Sequence, residues 1–253
     1  AEDFATERGL FLWTATHDGT LPERYLRLLH GGAVDAAIIS GLRSDVDVTP
    51  LLTDARVPTL VINRRAESVP RWIIIDDESA AVMATEYLTK RGHRSIALAG
   101  GPEGRDTAER RRSGYLRAMT AASLPVEPAW MASGAYTPQA GASAIAAILE
   151  HSRVRPTAVV AADATIGLGA WHELLRRGLA VPGDISLIAI NKLPTEPFRS
   201  PSMTCVEMPL ELLGRRAAEV VIDHTWEAEV AEVISGHLKI HEGATVAPVP
   251  AHV

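Results

Sequence analysis

One cysteine in 253 residues, Cys205, excludes an internal disulfide and fits a reducing compartment. Aromatic side chains make up only 5% of the chain. No apolar run approaches the roughly 18–20 residues that cross a bilayer, so no membrane partner is expected. The opening residues, Ala1-Glu2-Asp3-Phe4-Ala5, lack the basic and then apolar pattern of a secretory signal. Basic residues are outnumbered 25 to 31, for a formal net charge of −6. An acidic chain without a basic stripe binds nucleic acid poorly by itself, so any surface that meets DNA is expected outside these residues. The signatures of catalysis are missing too. The nine histidines are scattered without zinc spacing. Cys205 follows Thr204 in a β-like run with no motif around it, and His30-Gly31-Gly32-Ala33 resembles an oxyanion loop but has no Gly-x-Ser-x-Gly elbow to serve. No catalytic residue, metal site or cofactor is therefore expected, and an enzyme is the least favoured class.

What is present is an ordinary globular composition, 47% apolar and 22% charged, on a chain long enough for two lobes of about 100–150 residues each. Apolar strand-like runs at 10–14, 36–40, 59–63, 72–75, 95–99, 158–161 and 185–190 alternate with helical patterns at 21–29, 79–91, 108–122, 138–151, 165–177 and 210–224. That alternation is the mark of stacked βαβ units, and nearly continuous apolar strands suit a parallel sheet covered on both faces. Arg91-Gly92 and Arg177-Gly178 read as helix C-termini, and Thr137-Pro138 as an N-cap with proline in the first turn. Residues 1–8 read as the back half of a helix closed by Gly9, so the strand that normally opens such a lobe is expected to be missing. The last ten residues, with two prolines, are expected to be a loose end or a final strand.

Two stretches concentrate the polar chemistry. In the first, the strand at 95–99 runs into Gly100-Gly101-Pro102-Glu103-Gly104-Arg105-Asp106-Thr107 and then a helix bearing Arg110, Arg111 and Arg112. Glycines there let backbone N–H groups approach a ligand, and an arginine fork suits vicinal hydroxyls, carboxylates or phosphates. The spacing fits neither the dinucleotide nor the Walker fingerprint. The structural alternative is a solvated turn and a basic helix face. In the second stretch, Val181-Pro182-Gly183-Asp184 feeds the strand at 185–190, which ends in Asn191. Asp76-Asp77 and Asp163 also follow strands. Adjacent residues at a strand end point to opposite sides, so one of the pair is expected to face the cleft and the other to cap the helix beginning near Ser79. Asp163 has both readings open. Tyr136 is either a stacking wall for a ring or simple packing, and His93 reads as structural.

Taken together, residues 91–102, the Arg105, Thr107 and Arg111 triplet, 154–160 and 178–190 resemble the effector-binding core of the lactose/galactose-repressor (LacI/GalR) family of bacterial transcription regulators. The resemblance implies an α/β fold of the type I periplasmic-binding-protein kind, in which two Rossmann-like lobes with parallel sheets are joined by several crossovers. One lobe would hold 1–76 and 208–235, the other 77–207 and 236–253. It implies a cytoplasmic, allosteric homodimer with a sugar or nucleoside-like effector in the cleft, meeting operator DNA through an N-terminal helix-turn-helix domain absent from this chain. Residue by residue, Arg111 matches the arginine that grips the effector, Arg105 and Thr107 match loop contacts, Asp76 the acid at a strand end, and Tyr136 the aromatic wall. The chain departs from the family pattern at Asn191, where an aspartate is usual, at Ala162-Asp163, where Asn-Asp is frequent, and at Asp76-Asp77, where Asp-Asn is common. These departures argue against transferring a named sugar. The alternative within the same architecture is a periplasmic sugar-binding protein.

Overall fold

The computed structural model describes residues 27, 29–31, 34–47, 57–65, 71–192, 202–222 and 229–249. The expected strand at 10–14 and most of the helix at 21–29 lie outside them. The chain divides into two units: Ala1–Asp76 with Gly104–Asp106 and Pro209–Gly236, and Asp77–Glu103 with Thr107–Met208 and His237–Val253.

The first unit is built on four parallel strands: β1 (Ala37–Ser40), β2 (Thr59–Ile62), β3 (Arg71–Ile75) and β9 (Val230–Ile234), in the order β1-β2-β3-β9. Leu29, Ile39, Leu42, Val57 and Val61 form a small core against which Trp72 packs. Helix α5 (Leu210–Ile222) lies on β1, β2 and β3, burying Leu213, Ala217 and Val221.

The second unit has six strands, β4 (Ile96–Gly100), β5 (Met131–Ser133), β6 (Ala158–Ala161), β7 (Ser186–Ile190), β8 (Thr204–Glu207) and β10 (Lys239–His241), ordered β10-β8-β7-β6-β4-β5. Every pairing is parallel except β10 against β8. Strands β4, β6 and β7 are buried along their whole length. Ala97, Ala99, Val159, Ala161, Leu187 and Ala189 share a core with helices α3 (Pro138–His151) and α4 (Ala164–Arg176). The alternate residues, Leu98, Val160 and Ile188, point to the opposite face. They are equally buried, and α1 (Asp77–Thr89) packs on β6, β7 and β8. Tyr115 of α2 (Asp106–Ala121) is fully buried and donates its hydroxyl to the Ile96 carbonyl at 2.7 Å.

Local signals account for the element ends. Thr137 caps α3, accepting from the Ala140 N–H, and proline follows it. Gly92 and Gly178, beyond α1 and α4, take φ of 89° and 76°, where only glycine sits without strain. The short edge strands β5, β9 and β10 escape a reading by periodicity, because three to five half-exposed residues give too little pattern. Residues 244–249 are neither loose nor a strand. Thr245 donates to the Leu187 carbonyl at 2.6 Å, and the Val249 N–H donates to that of Arg91. His93 bridges the same segment: Nε2 donates to the Ala247 carbonyl at 3.0 Å and Nδ1 meets the Thr157 hydroxyl. Burial pulls the His93 pKa down, which keeps the ring neutral in that role.

Helices α3 and α4 approach each other through glycine. A Cβ on Gly141 would run into the Ile166 carbonyl and one on Gly169 into the Pro138 carbonyl. The pair is also joined by Arg177, which binds Glu150 of α3 and Glu173 of α4, each at 2.7 Å. Hydrogen bonds from Arg176 and Arg177 hold the Glu173 carboxyl down at about 2, so it stays charged through the physiological range. In an open helix, Gly169→Ala would gain about 1 kcal/mol of propensity. Here the new methyl meets backbone, and overpacking costs about 1–3 kcal/mol or more. We expect Gly169→Ala to lower stability in urea denaturation; an unchanged or raised midpoint would show that the helices part easily.

Candidate functional site

The strand ends of the second unit carry most of the expected site. Arg111 lies one turn into α2, 8% exposed. Its Nε and Nη2 donate to Asp77 Oδ1 at 2.8 and 2.7 Å, and its Nη1 donates to the Ala162 carbonyl beyond β6. Arg110 Nη1 takes the other Asp77 oxygen at 2.7 Å. Burial alone would lower the Arg111 pKa, but Asp77, Tyr136 and Asp163 outweigh it and the net shift is upward. The guanidinium is therefore a fixed cation. Three of its five N–H groups are used among the described residues, which leaves two for a ligand.

One of the pair Asp76-Asp77 was expected to cap a helix beginning near residue 79. Helix α1 begins two residues earlier, at Asp77, and that carboxylate, 1% exposed, holds two arginines. A buried carboxylate needs charged partners far more than a helix needs one more cap. The paired arginines lie 34 residues away, so nothing local announces them.

Tyr136 and Thr107 are brought together, their hydroxyls 3.1 Å apart. The tyrosine lies so close over the β4 loop that a Cβ on Gly101 would sit 2.8 Å from its hydroxyl oxygen and 2.9 Å from its ring. Gly101 thus makes room for the Tyr136 ring. Asp163 caps α4, its Oδ1 accepting the Thr165 N–H at 2.7 Å, while its charge still reaches Arg111. Asn191 ends β7 with φ 71°, a left-handed conformation that asparagine tolerates. Its Oδ1 accepts the Lys192 N–H at 2.9 Å. That bond fixes the amide orientation and leaves its NH₂ group as the half available to a ligand, where an aspartate would offer acceptors only.

Asp76 and Arg105 belong to the first unit. The Asp76 N–H donates to the Ile234 carbonyl at 3.1 Å, closing the end of β3 against β9. Arg105 places Nη1 4.0 Å from where a Cβ on Gly41 would be, just past β1. Among the described residues no group of three or more His, Cys, Asp or Glu is placed to hold a metal ion, and no helix is long and apolar enough to cross a membrane.

A profile of the periplasmic binding protein-like domain matches residues 85–246. The chain is similar to the HTH-type transcriptional repressor PurR of Photorhabdus laumondii subsp. laumondii, at 31% identity over 230 residues, which is 89% of this chain and 67% of that protein. A solved LacI family transcriptional regulator from Mycobacterium smegmatis aligns with a TM-score of 0.87 and 30% identity, over 97% of this chain and 91% of the other. A transcriptional regulator CelR–cellobiose complex aligns at 0.85 and 28%, over 96% and 76%.

The Asp77 cluster yields a direct test. Losing a helix cap costs about 1 kcal/mol, whereas stripping the counter-charge from buried arginines costs about 3–5 kcal/mol. Asp77→Asn is expected to fall in the larger range in urea denaturation, and a loss near 1 kcal/mol would return Asp77 to the capping role.

Proposed function

Because the chain belongs to the LacI/GalR family of transcription regulators and carries the effector-binding core of that family, we propose that its strand ends bind a small polar effector, a sugar or nucleoside-like molecule. The contacting residues are Arg111, Thr107, Tyr136, Asp163 and Asn191 in the second unit, with Asp76 and Arg105 in the first. The observation that carries this reading is Arg111: a buried, fully charged fork, held by Asp77 and the Ala162 carbonyl, with two N–H groups uncommitted beside an aromatic ring. Preorganised donors of this kind bind oxygen-rich ligands at little entropic cost. The CelR structure, solved with cellobiose, supports an effector of that size and polarity.

Binding acts on operator DNA only through a difference in effector affinity between two conformational states of the core, and that difference bounds how far DNA affinity can change. No chemical step is required, and the protein works as a cytoplasmic homodimer in which each of the two units forms one lobe. The relatives being repressors supports this non-catalytic role.

The effector is sought by thermal shift over sugars, nucleosides and small acids, since a ligand of the native state raises Tm. Arg111→Ala would strand half of the Asp77 charge, so the informative variant is Arg111→Lys, which keeps the charge and loses the fork. We expect calorimetry to show at least tenfold weaker binding of any hit to this variant. Equal affinity would remove Arg111 from the site.

Solution mass addresses the rival reading, a stand-alone binding protein. Light scattering is expected to give twice the mass of one chain at micromolar concentration, and a monomer there would favour the rival.

A further inference from the structure

The first unit holds a cation that the sensing role has not yet used. Arg64 follows β2 at the carboxyl edge of the parallel sheet and is 7% exposed. Asn63 before it takes φ 58° and donates its N–H to the Ile73 carbonyl, turning the chain out of the strand. Two carbonyls of the loop after β1 fix the guanidinium: Nη2 donates to Ser44 at 3.0 Å and to Val46 at 2.7 Å. The Nη1 nitrogen, also buried, has no hydrogen-bond partner among the described residues.

Among the described residues, the charges around it do not close the gap. Burial lowers the Arg64 pKa, and Asp106, Asp45 and Asp47, which push it up, fall short, so the net shift is downward. Two of these carboxylates are engaged elsewhere. Asp45 takes Arg43 through both oxygens at 2.9 and 2.8 Å, and Asp106 Oδ2 accepts the Arg65 N–H at 3.0 Å. Arg43 and Arg105 approach the same two loops, beside Gly104 and Gly41 respectively. Among the described residues, Arg43, Arg64, Arg65 and Arg105 share this edge with Asp45, Asp47, Asp76 and Asp106, of which Asp45, Asp47 and Asp106 act on Arg64. A water molecule would satisfy the Nη1 protons but supply no counter-charge. An oxyanion supplies both.

We propose that Arg64 is an anion-binding residue and that the effector is an acid, presenting a carboxylate or phosphate oxygen to Arg64 Nη1 with Arg105 as the second cation. The inference rests on the sensing role proposed above and narrows its ligand from a polar molecule to a charged one.

Thermal denaturation of the 253-residue chain in rising inorganic phosphate, with sodium chloride adjusted to constant ionic strength, tests this for the native sequence, Arg64→Gln and Arg64→Lys. A parallel series in acetate separates carboxylate from phosphate recognition. The native chain is expected to show a saturable rise in Tm with one or both anions. That rise should vanish in Arg64→Gln and persist in Arg64→Lys with a midpoint at least threefold higher, because an ammonium keeps the charge without the fork. A linear rise shared by all three proteins is the general effect of an excluded salt and overturns the proposal, as does saturation that survives in Arg64→Gln or saturation by neither anion. Should Arg64→Gln fail to fold by circular dichroism, Arg64→Lys decides alone: an unshifted midpoint overturns the proposal. A neutral ligand that needs Arg111, in a protein whose phosphate and acetate responses ignore Arg64, removes the acidic effector and leaves the sensing role standing. The absence of any Arg111-dependent ligand removes the sensing role, and this inference with it.

Discussion

The buried Asp77 carboxylate, shared between Arg110 and Arg111, is the constraint from which the second unit's site follows. It ties the first turn of α1 to the first turns of α2, and so fixes the angle at which α2 presents its arginines. A buried ion pair adds little net stability compared with apolar packing. What it supplies is placement. A guanidinium is planar, so once Asp77 and the Ala162 carbonyl occupy three N–H groups the direction of the remaining two is set before any ligand arrives. The backbone N–H and carbonyl groups of the strand ends are then free to serve caps and turns, as Asp163 and Asn191 illustrate.

Much of the architecture was legible because it is locally encoded. The helix at 138–151 and the strand at 158–161 have the bounds that the turn signals around them indicate, since a threonine cap, a proline and an apolar run each act within a few residues. Arg111 was legible only through a resemblance, for a basic helix face and an anchored fork look alike in sequence. The pairing of Asp77 was not legible at all, because its partners sit on another element and an acid after a strand reads as a cap. Arg64 was missed for a similar reason. An Arg-Arg pair in a loop looks solvated, and its burial depends on carbonyls of residues about twenty positions earlier. Gly101, Gly141 and Gly169 announced no role either, since their importance lies in what comes close to them.

The two units apply one design with different chemistry. Each ends a parallel sheet in short polar loops, where ligand groups belong in open α/β folds. In the second unit the cation is stabilised by a carboxylate held entirely within the fold; in the first, the described carboxylates do not offset its burial. A family that shares its scaffold can change its ligand through such differences without altering a strand.

The closing segment has a consequence for how the chain is made. The first unit cannot acquire β9, and the second cannot acquire β10 or the Thr245 and Ala247 bonds, until residues 230–247 have left the ribosome. Strand β9 joins β3 across more than 150 residues of intervening chain, most of it belonging to the other unit. Both units therefore wait on late-made residues, and such long-range pairing slows folding and leaves strand edges exposed meanwhile. A nascent chain of this topology keeps the β3 and β8 edges open to neighbours of its own kind until β9 and β10 cover them.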